Sequence, residues 1–208
     1  MINKDTKLYG SFSNKSGNNG CVFFNNAFIK FKIDALYRSY SIKSIKDAVF
    51  AAKTLGFSGF AVSMPFKIEV LKYVDELSEE VEIIGAANTV VINNGTLKAH
   101  NTDYHASLLL MKEIEKEIYI LGNGGLSKSV QISANKKSVN YSLITRENWH
   151  SLSELKNKTI INCTPVKNID IDPSNKFIDL NTNTPEGKGF SIEQAKQQFF
   201  LYTGKKYE

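Results

Sequence analysis

The chain has 208 residues, which is enough for one large domain or for two small domains around a cleft. A hydrophobic fraction of 42% is ordinary for a folded protein, and no apolar run approaches the ~18 residues that a membrane span needs. The net charge of +5 comes from scattered lysines and no nucleic-acid-binding motif is visible, so a disordered, membrane or nucleic-acid-binding protein is not expected.

The first half of the sequence alternates between strand and helix patterns. Apolar runs predict strands over residues 7–12 and 58–64, and an amphipathic pattern predicts a helix over 43–56 that ends at Gly56. The other segments are predicted as a polar loop over 13–20, a helix-to-strand transition over 25–33, a helix over 67–84, and strands over 86–93 and 96–100.

The second half continues this alternation. The pattern predicts a helix over 104–116, a strand over 117–121 that leads through a glycine turn into another helix, strands over 139–145 and 159–163, and a final helix over 190–202. Strands that alternate with helices are typical of parallel α/β packing, which is the fold class that we expect.

The start of the chain, the cysteines and the histidines give expectations about the compartment, disulfide bonds and metal binding. The start of the chain has no apolar core of a signal peptide, so we expect a cytoplasmic protein. Cys21 and Cys163 lie far apart without metal-ligand spacing, which argues against a disulfide scaffold. His100 and His105 flank Asp103, but no third ligand has a suitable spacing, so no metal site is expected.

Two charged residues follow predicted strands of the first half. Lys67 comes after the strand over 58–64, and Asp103 comes after the strand over 96–100. Ligands bind at the strand ends of α/β sheets, so a lysine and an aspartate that meet there can form a proton-transfer pair. An ordinary salt bridge at the edge of the sheet explains the same spacing, and the sequence alone leaves both interpretations open.

A glycine turn marks a candidate nucleotide site in the second half. Gly122, Gly124 and Gly125 allow a tight turn between strand and helix, where free N–H groups can hold a phosphate. Ser127 replaces the third glycine of the common fingerprint, so a purely structural turn stays a second interpretation. The next strand ends at Thr145 and Arg146, a pair that suits the 2′-phosphate of NADP better than the ribose of NAD, although Glu147 is an unfavourable neighbour.

Six segments in order resemble the shikimate dehydrogenases from about Tyr9 to Gly204. They are GFAVSMPFK (59–67), GAANTV (85–90), NTD (101–103), GNGGLSK (122–128), INCTP (161–165) and GKGFSIEQAKQQFFLYTG (187–204). The resemblance implies a two-lobed α/β enzyme that reduces 3-dehydroshikimate to shikimate with NADPH. It also implies a substrate-binding domain over 1–103, a reduced Rossmann-like NADP-binding domain over 104–187, and a C-terminal helix in 188–208 that packs back on the first lobe.

The resemblance assigns roles to individual positions. Lys67 would carry the proton transfer, and Asp103 would order and assist it. Ring oxygens of the substrate would be bound by Ser63, Asn88 and Gln194. NADP would be held by Gly122, Asn123, Gly124, Gly125, Leu126, Ser127, Thr145 and Arg146, with Thr164, Leu180 and Gly187 at the nicotinamide end. A small-molecule substrate is thus the expected partner, and a homodimer is one assembly that the chain could form.

The sequence departs from the family where the substrate carboxylate is bound. Counted without gaps from residues 25–28, the two anchoring serines of the family fall on Asn19 and Cys21, and a supporting tyrosine falls on Thr182. A shift of the loop could instead bring Ser13 or Ser16 into place. Residues 147–158 and the segment after Leu180 are also shorter than in the family. The alternative function is therefore a non-catalytic or altered-substrate homologue that binds a small alicyclic ligand.

Overall fold

The computed structural model describes residues 2–114 and 117–208 and divides them into two compact units. The first unit runs up to Thr102 and includes Ala195–Glu208, and the second unit comprises Asp103–Gln194. No helix in the described part of the chain is both long enough and apolar enough to cross a membrane.

The first unit contains a six-stranded mixed sheet in the order β2-β1-β3-β5-β6-β4. Its strands are β1 (Lys7–Ser13), β2 (Ala35–Ser41), β3 (Phe57–Val62), β4 (Glu76–Leu77), β5 (Thr89–Asn93) and β6 (Thr96–His100). β1 is parallel to β2 and β3, whereas β5 is antiparallel to β3 and β6. The ends of β1, β2, β3 and β6 therefore lie with the start of β5 along one side of the sheet, here called the carboxyl edge.

Two hydrophobic clusters cover the two faces of this sheet. Leu8 and Phe12 of β1 contact one cluster, which includes helix α2 (Ile45–Thr54). Tyr9 points to the other face and packs on Phe24 and Phe28 of helix α1 (Asn19–Lys30). Because side chains alternate along a strand, this register also fixes the direction of the polar residues at the carboxyl edge.

Four predictions for the first unit are wrong. Residues 67–84 are not one helix, since they form a 3₁₀ turn (Glu69–Tyr73), β4 and the short helix α3 (Glu79–Ile84). Asp75 explains the interruption, because its carboxylate accepts a hydrogen bond of 2.8 Å from the backbone N–H of Leu97 and holds this segment against β6. The strand over 86–93 begins only at Thr89.

The other two errors concern the segment after β1. Asn19, predicted in the loop over 13–20, belongs with Cys21 to the first turn of α1. A Cβ on Gly20 would lie 3.0 Å from the ring of Tyr37, so a glycine at this position lets the helix approach β2 closely. β2 itself was not predicted, since its polar residues mask the alternation around the buried Tyr37.

The second unit contains a four-stranded parallel sheet in the order β10-β9-β7-β8. Its strands are β7 (Ile118–Leu121), β8 (Tyr141–Ile144), β9 (Thr159–Asn162) and β10 (Lys176–Asp179). Helix α5 (Gly125–Lys136) connects β7 to β8, and a 3₁₀ turn (Trp149–Glu154) replaces the helix before β9. The prediction of a reduced Rossmann-like fold is confirmed.

Two helices of the second half have different bounds from those predicted. α4 (Thr102–Leu110) begins earlier than predicted and passes into a 3₁₀ turn (Met111–Glu113), and the predicted end at residue 116 lies outside the described residues. α6 (Pro185–Thr203) also begins earlier. Proline is favoured at a first helical position, and the Thr184 hydroxyl accepts a hydrogen bond of 3.0 Å from the N–H of Gly187.

Candidate active site

Lys67 lies on a loop that leaves the end of β3 and is fixed on both sides. The N–H of Ala87 donates a hydrogen bond of 2.8 Å to the carbonyl of Lys67, and the preceding side chain, Phe66, is buried in the core of the first unit. The Met64–Pro65 peptide bond within this loop is cis. The loop thus holds the half-buried Lys67 beside the segment that enters β5.

The two ends of the Asn88 side-chain amide differ in their hydrogen bonding. Its Oδ1 atom accepts hydrogen bonds from the N–H of Thr102 at 2.8 Å and from the hydroxyls of Thr89 at 2.9 Å and Thr102 at 3.2 Å. Its Nδ2 atom is buried and has no hydrogen-bond partner among the described residues. Since a buried donor without a partner is costly, the fixed Nδ2 is suited to meet an oxygen of a ligand.

Gln198 is a polar residue of this region that sequence reasoning missed. It is only 3% exposed, and its Nε2 atom donates to the Thr89 hydroxyl at 2.8 Å and to the Asn88 carbonyl at 3.3 Å. The predicted residue, Gln194, lies one helical turn earlier and is the last residue of the second unit. A spacing of four residues on a helix places two side chains on one face, which is the signal that could have identified Gln198.

Asp103 is the first residue of the second unit and lies in the first turn of α4. Its side chain is only 2% exposed. Burial, together with the carboxylates of Asp103 and Asp179, raises the pKa of the Cys163 thiol far above its ordinary value. Cys163 is therefore a protonated structural residue and not a nucleophile.

The glycine turn lies at the end of β7 and leads into α5. Gly122 has a φ of +95°, and a Cβ there would lie 2.8 Å from the Cγ2 atom of Thr164. The hydroxyl of Ser127 is buried and donates a hydrogen bond of 2.7 Å to the carbonyl of Gly122. This bond ties the turn to the start of α5. α5 has no side-chain cap and no acidic residue in its first turn, so its N–H groups stay available for a phosphate.

Thr145 and Arg146 follow the end of β8, the neighbour of β7. The Asn148 Oδ1 atom accepts hydrogen bonds from the N–H of Thr145 at 2.7 Å and from its hydroxyl at 3.3 Å, so Asn148 shapes this turn. Arg146 is exposed, and no side-chain partner for its guanidinium is found among the described residues. Both features suit an arginine that contacts a ligand and not the protein.

Asn162 organises the ends of β9 and β10 and was also missed by sequence reasoning. Its Oδ1 atom accepts hydrogen bonds from the N–H of Thr164 at 2.9 Å and from its hydroxyl at 2.7 Å. Its Nδ2 atom donates to the Asp179 carboxylate at 3.0 Å. A buried asparagine at the end of a strand, two residues before a threonine, is the signal that could have pointed to this network.

The remaining predicted residues of the second unit follow β10. Leu180 is buried in the core of the unit, and Thr182 is exposed in the turn before α6. Gly187 lies in the first turn of α6, where a Cβ would overlap the backbone of Asn181. The packing of the turn therefore requires a glycine, whatever else this residue contacts.

The residues present fit a dinucleotide. The ends of β8, β7, β9 and β10 lie at one side of a parallel sheet, and they carry the predicted residues of all four segments. β8 lies on one side of β7 and β9 lies on the other, so the strand order changes direction between β7 and β9. Nucleotides bind at such a point in α/β folds. The open space beside Gly124 leaves room for a phosphate at the start of α5.

The two predicted carboxylate anchors have different surroundings. Asn19 is exposed in the first turn of α1, and no hydrogen bond of its side chain is found among the described residues. The Cys21 sulfur lies 3.2 Å from both the backbone nitrogen and the hydroxyl of Ser39. The thiol is thus engaged by β2 and is a poor candidate for binding an anion.

His100 pairs with a carboxylate on α3. Its Nδ1 atom lies 3.6 Å from the Oε1 atom of Glu80, which also accepts a hydrogen bond of 3.3 Å from the N–H of Asn101. Burial raises the pKa of Glu80, but hydrogen bonds led by that of His100 outweigh it and lower the pKa to about 2. His100 therefore tethers α3 to β6.

Comparisons with known proteins agree with this architecture. A family model described as the shikimate dehydrogenase substrate binding domain matches residues 20–90. The chain is 34% identical over 199 residues to the shikimate dehydrogenase (NADP(+)) of Methanococcus maripaludis, covering 90% of this chain and 71% of that protein. It is 37% identical over 145 residues to a shikimate dehydrogenase-like protein of Haemophilus influenzae, covering 66% of this chain but only 52% of that protein, about half of its length.

A solved structure is also similar over the whole chain. The structure of a shikimate 5-dehydrogenase-like protein superposes with a TM-score of 0.85 at 26% identity, covering 100% of this chain and 95% of that chain. Sequence similarity to named shikimate dehydrogenases and similarity of fold therefore lead to the same conclusion. The chain belongs to the shikimate dehydrogenase family.

Proposed function

We propose that this protein is an NADP-dependent oxidoreductase that reduces 3-dehydroshikimate to shikimate, a step of aromatic amino acid biosynthesis. The observation that carries the proposal is the amide of Asn88. Three donors fix its Oδ1 atom, and its buried Nδ2 atom has no hydrogen-bond partner among the described residues. Asn88 directly follows Ala87, whose N–H donates a hydrogen bond to the carbonyl of Lys67. A polyhydroxylated ring is a ligand that such a donor can bind.

The reaction needs one proton for the oxygen of the substrate carbonyl. Lys67 supplies this proton as an ammonium group, and Asp103 orders the lysine and assists the transfer. NADPH, when bound, supplies the hydride for the carbonyl carbon. In the direction of oxidation, Lys67 accepts the proton of the substrate hydroxyl.

Substrate and cofactor use different parts of the chain in this proposal. Ser63, Asn88 and Gln194 bind ring oxygens, and Gln198 positions Asn88 through its carbonyl. The turn over 122–127 binds the pyrophosphate, Thr145 and Arg146 bind the 2′-phosphate, and the nicotinamide end is lined by Thr164, Leu180 and Gly187. Residues 1–103 and 104–187 thus serve the substrate and NADP respectively in a cytoplasmic enzyme.

The test is an assay of NADP reduction by the purified protein with shikimate, with quinate and with a carboxylate-free analogue. We expect turnover with shikimate and NADP at a higher kcat/KM than with quinate. If the protein binds shikimate but never reduces NADP, it is instead a non-catalytic homologue. If quinate is oxidised faster than shikimate, the protein catalyses the same type of reaction on a different substrate.

A further inference from the structure

A chain of buried hydrogen bonds joins helix α6 to the side-chain amide of Asn88. The Nε2 atom of Gln198 donates to the Thr89 hydroxyl at 2.8 Å, and this hydroxyl donates to the Asn88 Oδ1 atom at 2.9 Å. All three residues belong to the first unit, and each is 3% exposed or less. A polar group that loses its partner at such a buried position is costly. The chain can therefore fix the orientation of the groups along it.

Backbone groups set the orientation of both amides in this chain. The carbonyl of Asn88 can only accept, so the group of Gln198 that lies 3.3 Å from it is the NH₂ group. The N–H of Thr102 can only donate, so the atom of Asn88 that lies 2.8 Å from it is the amide oxygen. The Thr89 hydroxyl thus lies between an NH₂ group and an amide oxygen. Its oxygen accepts from the first, and its one proton points to the second.

Gln198 makes the reversed orientation of the Asn88 amide unfavourable. A reversed amide would turn its NH₂ group toward Thr89, whose oxygen would then face two donors and whose proton would lose its acceptor. The N–H of Thr102 would also face an NH₂ group instead of an oxygen. The reversal therefore costs hydrogen bonds on two sides of the amide.

The fixed orientation decides which atom of a ligand Asn88 can bind. Its Oδ1 atom already accepts three hydrogen bonds, so only its Nδ2 atom is left for a ligand. Nδ2 donates, so it pairs with a hydroxyl or carbonyl oxygen. An ammonium group also donates and would leave Nδ2 unpaired, so the amide discriminates against an amine at this point.

We propose that Gln198 is a positioning residue for substrate recognition. Through the Thr89 hydroxyl, it keeps the Asn88 amide turned so that Nδ2 donates to a ring oxygen of the substrate. This inference rests on the proposed function and adds a residue to which the family resemblance assigns no role. Gln198 itself touches no substrate, so its effect on binding passes through Thr89.

The variant Gln198→Glu tests the direction of the chain. An ionised carboxylate only accepts, so it draws the Thr89 proton away from Asn88, whereas a protonated carboxyl group still donates to Thr89. Burial raises the pKa of a carboxyl group, so the protonated form persists at low pH. We expect this variant to bind shikimate almost as the wild type does at about pH 5 and about tenfold more weakly at about pH 9. Calorimetry without cofactor measures both affinities relative to the wild type at the same pH.

Variants of Thr89 test the same chain without a charge. Thr89→Val keeps the shape of the side chain but removes the hydroxyl, so it should weaken shikimate by about tenfold at every pH. Thr89→Ser keeps the hydroxyl and should bind within about threefold of the wild type. In each weakened variant KM should rise more than kcat falls, because the amide binds ground and transition states alike.

The double variant separates the chain from a simple effect of a buried charge. In the Thr89→Val background, Gln198→Glu should lose its pH-dependent effect, because the hydroxyl that transmits it is absent. The loss of the Gln198 bond leaves the Asn88 carbonyl paired, since the N–H of Val62 also donates to it at 2.8 Å. Gln197→Glu, at the preceding residue of α6, is the matched control and should bind shikimate as the wild type does. Thermal unfolding shows which variants stay folded.

Three outcomes would overturn the inference. They are unchanged affinity in Thr89→Val, wild-type affinity of Gln198→Glu at about pH 9, or a pH-dependent loss that persists in the double variant. If the wild type does not bind shikimate, the proposed function fails, and NMR spectra of the free protein still decide the inference. The side-chain amide signal of Asn88 should then shift with pH in Gln198→Glu and stay constant in the double variant.

Discussion

The proposed proton transfer depends on one side chain of the first unit, Lys67. Lys67 is presented on a loop whose backbone is tied to Ala87 and whose neighbour Phe66 is buried, so its position does not depend on its own side chain. A change of the ammonium group should therefore alter the reaction and not the fold.

Replacement of Lys67 by alanine should lower kcat by at least about a hundredfold, since proton transfer by a positioned group contributes 10²–10⁴-fold. The affinity for NADP and the unfolding temperature should stay close to those of the wild type. Lys72→Ala, an exposed lysine of the following 3₁₀ turn, is the control and should keep full activity. Near wild-type turnover of the Lys67 variant would remove this residue from the mechanism.

Arg146 allows a test of cofactor preference. Its exposed guanidinium is free to bind a 2′-phosphate, a contact worth about 1.5–3 kcal/mol. Arg146→Ala should weaken NADP by about one to two orders of magnitude and leave NAD almost unchanged. Titration of both nucleotides measures this, with Lys136→Ala at the far end of α5 as the control. Equal losses for the two nucleotides would show that Arg146 does not read the phosphate.

Glu80 makes stability depend on pH. Its folded pKa of about 2 is below the ordinary value of 4.5, so its contribution is present above about pH 4.5 and is lost as the pH falls toward 2. Glu80→Gln should destabilise the protein at about pH 6 by roughly 1–2 kcal/mol, a value reduced for solvent screening. Urea unfolding should show that this difference narrows at about pH 3. Glu79→Gln, an exposed neighbour on α3, should show no such trend.

Among the elements, helix α6 contains two glycines with opposite surroundings. A Cβ on Gly187 would overlap the backbone of Asn181, whereas a Cβ on Gly189 would meet nothing within 4 Å. The glycine at 187 is thus required by the packing of the turn after β10, and the glycine at 189 is not.

Alanine at the two positions should therefore change stability in opposite directions. Gly187→Ala should destabilise the protein by at least about 1–3 kcal/mol, because the backbone of Asn181 must move. Gly189→Ala should stabilise it by up to about 1 kcal/mol through helix propensity. Denaturant unfolding of both variants measures the two effects. Destabilisation by Gly189→Ala of the size expected at Gly187 would mean that helix bending, and not the local overlap, controls stability.

Elements with strong local signals were the ones that the sequence predicted. The glycine turn and α5 follow from the order of an apolar strand, three glycines and a helical pattern. The helix expected over 67–84 failed because a long-range hydrogen bond from Leu97 to Asp75 outweighs local propensity. β2 was missed because most of its residues are polar and only Tyr37, which lies under a helix, is fully buried.

The residues of the candidate site also divide into those that the sequence identified and those that it missed. Lys67 and the glycine turn follow strand ends and could be identified from their positions, whereas Asn88, which precedes β5, was assigned through the family resemblance. Gln198 was missed because its partner Thr89 is distant in the chain and only the fold brings the two together.

Asn148 and Asn162 were missed although their partners Thr145 and Thr164 are only three and two residues away, because an asparagine in a turn carries no signal of function by itself. The carboxylate anchors counted without gaps onto Asn19 and Cys21 stay a prediction, and only the fold shows that the Cys21 thiol contacts Ser39 of β2.

At the scale of the whole molecule, the chain passes from one unit to the other at Thr102 and Asp103 and returns at Gln194 and Ala195. The second unit is continuous in sequence, and the first unit is made of two separate segments. The first unit includes Phe199 and Tyr202, which pack on Phe24 and Phe28 of α1.

This discontinuity has a consequence for synthesis on the ribosome. Residues up to Thr102 are translated before the second unit, yet the aromatic core of the first unit lacks Phe199 and Tyr202 until the second unit has also been translated. The second unit contains all of its strands by Asp179 and can fold earlier. The nascent chain therefore carries an unfinished apolar surface on α1 and β1 while the second unit is translated, so of the two units the one that begins first is completed second.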